Sequence, residues 1–132
     1  MNRNYSYPKS QRLCSRKAIE SLFSGAHCSL TAFPLRAVYK VNEVSSTQVL
    51  MSVSKRHFKH AVDRNLAKRQ MREAWRLHQG ILMPYPTNDI ENPSLHIAFI
   101  WLSNSHHPTD LINHKMRNLL YHIKEQILPI KA

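Results

Sequence analysis

SKRHFKHAVDRNLAKRQMREAWR, residues 54–76, is the stretch around which the rest of the chain is organised. Eight basic side chains (Lys55, Arg56, Lys59, Arg64, Lys68, Arg69, Arg72, Arg76) face two acids (Asp63, Glu73), a net +6 of the formal +11. No Gly or Pro interrupts it, and Ala, Leu, Met, Lys, Arg, Gln and Glu dominate. These are strong helix formers, so the stretch predicts a long helix beginning after Ser54 and running to about Gln79. At about 100° per residue, Arg64, Lys68, Arg72 and Arg76 form a slowly drifting stripe, with Asn65 and Arg69 beside it. Val62, Leu66, Met71, Ala74 and Leu77 point mostly elsewhere. Like charges four residues apart cost a few tenths of a kcal/mol each in an isolated helix, so the stripe calls for an anionic partner. The plain alternative is a solvated charged face. Arginine outnumbers lysine here and acids are scarce, which favours a phosphate-binding surface.

Working outward, 132 residues suffice for one domain with a single core, and 42% hydrophobic residues argue against wholesale disorder. Nineteen Lys and Arg against eight Asp and Glu point to a polyanion, nucleic acid before an anionic membrane surface. Two glycines exclude a GxGxxG or Walker A phosphate loop. The longest apolar run, Ile97 to Leu102, is far shorter than the ~18 residues of a membrane span. The N-terminus has no apolar signal-peptide segment, so a cytoplasmic location is expected, with Cys14 and Cys28 as free thiols.

Residues 1–11 read as a flexible basic arm, and 12–128 as one domain. A short helix follows Ser15, a plausible N-cap, with Ala18, Ile19, Leu22 and Phe23 as its apolar stripe and Gly25 past its end. Residues 26–31 read as a connector. Phe33 to Val41 alternates, with Phe33, Leu35, Ala37, Tyr39 and Val41 on one face and Arg36, Val38 and Lys40 on the other. With a turn at 42–46 and a strand at 47–53, this predicts a hairpin. Residues 80–93, rich in Pro and Asn, predict an irregular loop. Leu95 to Leu102 is nearly all apolar and aromatic, as for a central strand covered on both faces. Thr109 or Asp110 is expected to cap a last helix whose Ile112, Met116, Leu119, Leu120, Ile123 and Ile127 share one face, with Pro129 ending it. The fold class is α+β: a small sheet with helices packed on one side, a two-layer sandwich. Tyr39, Phe99 and Trp101 read as core. Trp75, at the edge of the basic arc, either packs or stacks.

Catalytic signals are thin. The eight acids are spread singly, whereas two-metal phosphodiester chemistry needs clustered carboxylates. Nine histidines, including His96, His106, His107, His114 and His122, match no zinc spacing, and surface histidines are the expected reading. No catalytic residue and no metal ligand is assigned in this chain.

The central segment carries more than charge. VSKR at 53–56 followed by AVDRNLAKRQMRE at 61–73 closely resembles the signature of the bacterial ribonuclease P protein subunit, in which a VSKK-like strand end leads into a helix bearing RNR-x-KR-x-x-R. Arg64, Asn65, Lys68, Arg69 and Arg72 match that core by position, and Leu66 replaces its second arginine. Arg12-Leu13, the helix ending near Phe23 and the Phe33 strand also fall where the family has related features, so the resemblance covers roughly residues 10–128. It implies an αβββαβα order, hence a third strand in the N-terminal half, and a left-handed crossover at the basic helix. It further implies an RNA subunit that is the catalyst, uses Mg²⁺ and removes the 5′ leader of precursor tRNA, while the protein binds both RNAs. Lys55, Arg56, Arg64, Asn65, Lys68, Arg69, Arg72 and Arg76 are the expected contacts to the RNA subunit. Phe23, Arg36, Val38, Lys40 and Arg12 are the expected contacts to the leader, in a cleft between the first helix and one sheet face. A general or ribosomal RNA-binding protein and a stand-alone metal-dependent nuclease are the rival readings.

Overall fold

The computed structural model describes residues 12–24, 28–41, 47–82 and 95–131, with side chains to residue 127. The expected arm, Gly25, the turn at 42–46 and the loop from residue 83 onward lie outside them. The elements run α1 (Arg16–Ser24), β1 (Cys28–Ala32), β2 (Leu35–Val41), β3 (Gln48–Ser52), α2 (Ala61–His78), a 3₁₀ turn (Gln79–Ile81), β4 (Leu95–Trp101) and α3 (Thr109–Lys131). This is the αβββαβα order.

The four strands form one sheet in the order β1-β2-β4-β3. β2 pairs antiparallel with β1 and with β4 (Leu35 opposite Trp101, Val41 opposite Leu95), while β3 runs parallel to β4 (Val49 opposite Ile97). The expected β2–β3 hairpin is therefore replaced by β4 inserted between the two strands. The physical reason lies in β4 itself. Leu95, Ile97, Phe99 and Trp101 are buried on one face and Ala98 on the other, so β4 is covered on both faces, which favours a central position. A parallel β3–β4 pair needs a crossover of a dozen residues or more, and α2 supplies it.

β1 occupies the stretch read as a connector. Its CSLTA sequence is mostly exposed at the sheet edge, so its strand character comes from pairing with β2 and not from its own pattern. α2 begins at Ala61, six residues later than its propensity suggests. The Ser54 carbonyl accepts the amides of His57 and Phe58 (3.1 and 3.3 Å), and its Oγ accepts that of Arg56 (3.0 Å). This tight turn drives Phe58 inward, where it packs against Trp101 and stacks on His106. Burying a phenyl ring is worth about 1.5–3 kcal/mol, more than the few tenths per residue of helix propensity.

The main core lies between one sheet face (Leu35, Ala37, Tyr39, Val49, Met51, Ile97, Phe99, Trp101) and α2 and α3. Ala67, Met71, Ala74 and Trp75 come from α2, and all six apolar residues predicted for α3 are buried. Trp75 packs on Phe99 with ring centroids 5.9 Å apart, which settles its role as core. Tyr39 donates its hydroxyl to Gln126 of α3, and burial pushes its phenol above the ordinary range. The opposite sheet face is also covered: Leu22 of α1, with Leu13, packs on Val38 and Ala98, flanked by Ala18, Ile19, Leu50 and Ile100. The helices therefore do not share one side, because Val38 and Ala98 make that second face apolar at its centre. Ser15 caps α1 as expected, its Oγ accepting the Ala18 amide (3.3 Å).

At α3 the carbonyl of Pro108, not the side chain of Thr109 or Asp110, receives the first amides, those of Leu111 and Ile112 (3.1 and 3.2 Å). The helix continues past Pro129 to Lys131. A proline this close to a C-terminus removes one backbone bond where the last carbonyls lack helical partners in any case.

Candidate nucleic-acid interface

α2 divides lengthwise. Ala67, Met71, Ala74 and Trp75 face the core, and the opposite arc carries the cations. Facing that arc is the segment Arg12–Cys14. The Leu13 amide donates to the Val49 carbonyl (2.9 Å), and Arg12 bridges to the same residue, so the segment lies along the free edge of β3. Between the two walls run two adjoining clefts that share Arg12 and Arg72. The first, of about 370 Å³, is completed by Arg69, Glu73 and Arg76. The second, of about 340 Å³, is lined by Asn65 and Lys68 on the α2 side and by Leu13, Cys14 and the β3 edge at Val49, Leu50 and Met51 on the other.

The five cations Arg12, Lys68, Arg69, Arg72 and Arg76 against Glu73 leave the paired clefts at +4. Glu73 is held by Arg76 (Nη2 to Oε1, 2.9 Å), and that hydrogen bond keeps its carboxyl below the usual range, helped by the nearby charges of Arg69 and Arg72. Lys68, Arg69 and Arg72 make no ion pair among the described residues. A concave, positively charged groove on a rigid helix binds phosphates through charge and, for arginine, through two parallel hydrogen bonds.

The expected contacts are only partly gathered there. Asn65, Lys68, Arg69, Arg72 and Arg76 line the groove. Arg64 is turned back, its Nη1 donating to the carbonyls of Phe58 and Lys59 (3.0 and 2.9 Å), where it satisfies the turn before the helix. Lys55 and Arg56 are exposed on that turn. Arg12, expected with the leader contacts, belongs to the α2 groove. Of the remaining leader candidates, Arg36 donates to Ser29 (2.8 Å) and Lys40 to Ser21 of α1 (3.1 Å), and Phe23 is 42% exposed, so it is available as a surface ring. Val38 is 1% exposed beneath α1 and cannot touch a ligand; helix packing has filled that part of the face.

A second cluster had no signal beyond the density of histidines. His57 Nδ1 lies 2.8 Å from Asn104 Oδ1, His106 Nε2 lies 3.1 Å from Asp63 Oδ1, and His107 Nε2 lies 2.9 Å from Ser103 Oγ. Gln70 donates to the His107 carbonyl (2.9 Å). These contacts clasp the turn before α3 to the start of α2. They join Phe58 to His106 (centroids 4.4 Å apart, planes 14° apart) and set His107 against Trp101. Among the described residues, no three His, Cys, Asp or Glu side chains come together to hold a metal ion. No helix among them is long and apolar enough to cross a membrane.

A family model described as "Ribonuclease P" matches residues 7–124. The chain belongs to the ribonuclease P family. Its relatives include the ribonuclease P protein component of Porphyromonas gingivalis strain W83, 40% identical over 77 residues that span 56% of each chain. That of Idiomarina loihiensis is 35% identical over 86 residues, 60% of this chain and 63% of the relative. These alignments thus span little more than half of the relatives' length. In fold, the chain resembles the ribonuclease P protein of Staphylococcus aureus (TM-score 0.70, 20% identity, 88% of this chain and 97% of that one). It also resembles that of Thermotoga maritima (TM-score 0.68, 20% identity, 84% and 96%). Ribonuclease P proteins thus share this chain's fold at low identity, whereas the sequence likeness is concentrated in shorter stretches.

Proposed function

We propose that this chain is the protein subunit of ribonuclease P, acting in the cytoplasm in 5′ maturation of tRNA. In this reading residues 12–128 form one RNA-binding domain preceded by a basic arm at 1–11. The catalyst is the RNA subunit, which uses Mg²⁺, and no residue of this chain performs the chemistry. The observation that carries the reading is the +4 groove, in which Asn65, Lys68, Arg69 and Arg72 of the family-matching core stand opposite Arg12. The groove and the exposed Lys55 and Arg56 dock on the RNA subunit. Arg64 and Arg76 flank this surface, the first engaged with backbone carbonyls and the second with Glu73. Phe23, Arg36 and Lys40, around α1, meet the leader of precursor tRNA.

About five phosphates neutralised by Lys55, Arg56, Lys68, Arg69 and Arg72 correspond to an affinity loss on the order of 10²–10³-fold between 50 and 200 mM salt. The test adds purified protein to precursor tRNA at low Mg²⁺, with and without the catalytic RNA. Cleavage stimulated only when both are present supports the proposal. Cleavage by the protein alone would reveal a stand-alone nuclease, and RNA binding without stimulation a general RNA-binding protein.

A further inference from the structure

Three turns meet at one end of the sheet. β3 and β4 run parallel, so the turns that follow them, at 54–57 and 104–107, leave from the same end. Antiparallel pairing of β2 with β1 and β4 brings the turn at Phe33 and Pro34 there as well. Two hydrogen bonds tie the three together: the Leu102 amide donates to the Pro34 carbonyl (2.8 Å), and His57 Nδ1 lies 2.8 Å from Asn104 Oδ1. On the first turn Phe33 is 58% exposed, more than any other aromatic ring among the described residues. A ring left in water forgoes the burial that drives folding, yet this one is held in place. It meets His107 edge-on, with centroids 6.2 Å apart and planes 87° apart. His107 is fixed in turn by Ser103 Oγ (2.9 Å) and, through its carbonyl, by Gln70 (2.9 Å). On the third turn Lys55 and Arg56 are exposed and make no ion pair among the described residues. Asp63, just inside α2, lies against His106 (3.1 Å).

We propose that this end of the sheet binds a single-stranded segment of the RNA subunit. One unstacked base lies on the Phe33 ring, and the adjoining backbone runs past Asn104 to place phosphates on Lys55 and Arg56. An anchored aromatic ring beside unpaired cations is the pairing that holds single strands, because every base has a face to stack and every linkage a charge. A duplex keeps its base faces in its own stack and has none to offer Phe33. The 5′ leader is not the occupant. Phe33 opens beside the turn into α3, on the sheet face of Leu35, Ala37 and Tyr39, whereas Arg36 and Lys40 stand on the α1 face. The inference rests on the reading that Lys55 and Arg56 dock on the RNA subunit, which the experiment checks separately.

Two measurements decide it. The isotope-labelled full chain is titrated with a short oligoadenylate and, in parallel, with an RNA duplex of the same length, following the Phe33 and His107 rings by NMR. The single strand is expected to shift both rings and the duplex to leave Phe33 unmoved. The second measurement is affinity for the catalytic RNA without precursor tRNA. Phe33→Leu keeps an apolar cover over His107 but removes the ring face. It is expected to lower affinity about tenfold at unchanged salt slope and unfolding midpoint, while Phe33→Tyr retains affinity. Lys55→Ala combined with Arg56→Ala should flatten the slope by about two. A flattened slope with an unaffected Phe33→Leu, or a Phe33 ring that the single strand does not move, overturns the stacking site and leaves the docking reading standing. A loss matched by a lower unfolding midpoint makes Phe33 a structural cover and overturns it equally. A loss seen only once precursor tRNA is added gives the ring to the leader and overturns the proposed occupant. An unchanged slope in the double variant misassigns Lys55 and Arg56, and both readings fall.

Discussion

The two flanks of α2 handle their polar groups in opposite ways. On the flank facing the histidine turn, Asp63 meets His106 and Gln70 meets the His107 carbonyl and Thr109. On the flank facing Arg12 and β3, Lys68, Arg69 and Arg72 make no direct ion pair among the described residues, with Glu73 of the same cleft bound to Arg76, and Val62 and Leu66 beside them are 78% and 47% exposed. Self-repulsion on that side slightly weakens the helix, and the fold compensates on the other. The partnered flank holds the helix in place. The unpartnered flank is open to something outside the chain. Charge alone did not separate these roles, because both flanks belong to one basic segment.

Three substitutions or conditions test that division. The largest effect is expected for Phe58→Ala, which removes the ring between Trp101 and His106 and should cost about 3–5 kcal/mol in denaturant unfolding. At temperatures well below its melting point, this variant should keep the salt slope of RNA binding. A slope that falls together with stability would mean the flanks are not independent. The triple variant Lys68→Ala, Arg69→Ala, Arg72→Ala should do the converse. Affinity for the catalytic RNA drops on the order of 10²-fold, with a slope shallower by about three, while the unfolding midpoint holds or rises slightly. Loss of stability without loss of affinity would reassign these residues to structure.

The smallest effect concerns pH. Burial, with Arg117 nearby, lowers the pKa of His78, and burial, with Lys40 nearby, lowers that of His96. The unfolded chain therefore binds more protons than the folded one just below the ordinary histidine value of about 6.5. Stability should be complete above that value and decline as pH falls through the lower folded-state pKa values. Chemical denaturation between about pH 7.5 and 5 checks this, and His96→Gln should reduce the slope. A stability that rose on acidification would contradict the burial of both rings.

Elements with a strong local period were legible in the sequence. The six buried positions of α3, the Ser15 cap of α1, the largely apolar β4 and the cationic arc of α2 each follow from local pattern alone. So did the α+β class and, through the VSKR…RNxxKRxxR resemblance, the family. Less legible were features that depend on a distant partner. β1 is a strand only because β2 lies beside it. Arg64 turns inward because Phe58 is buried ahead of it, and Val38 is lost as a contact because α1 covers it. Arg12 could be placed with α2 only once Leu13 was seen bonded to Val49.

By itself the sequence determined that a long arginine-bearing helix would sit in a small α+β domain. Periodicity and charge are local quantities that any fold must respect. The tertiary structure alone decided that β4 separates β2 from β3, that only part of the basic stretch is helix, and that one flank of that helix faces a groove. Those outcomes depend on which apolar surfaces, dozens of residues apart, are buried together, and no local pattern encodes that pairing.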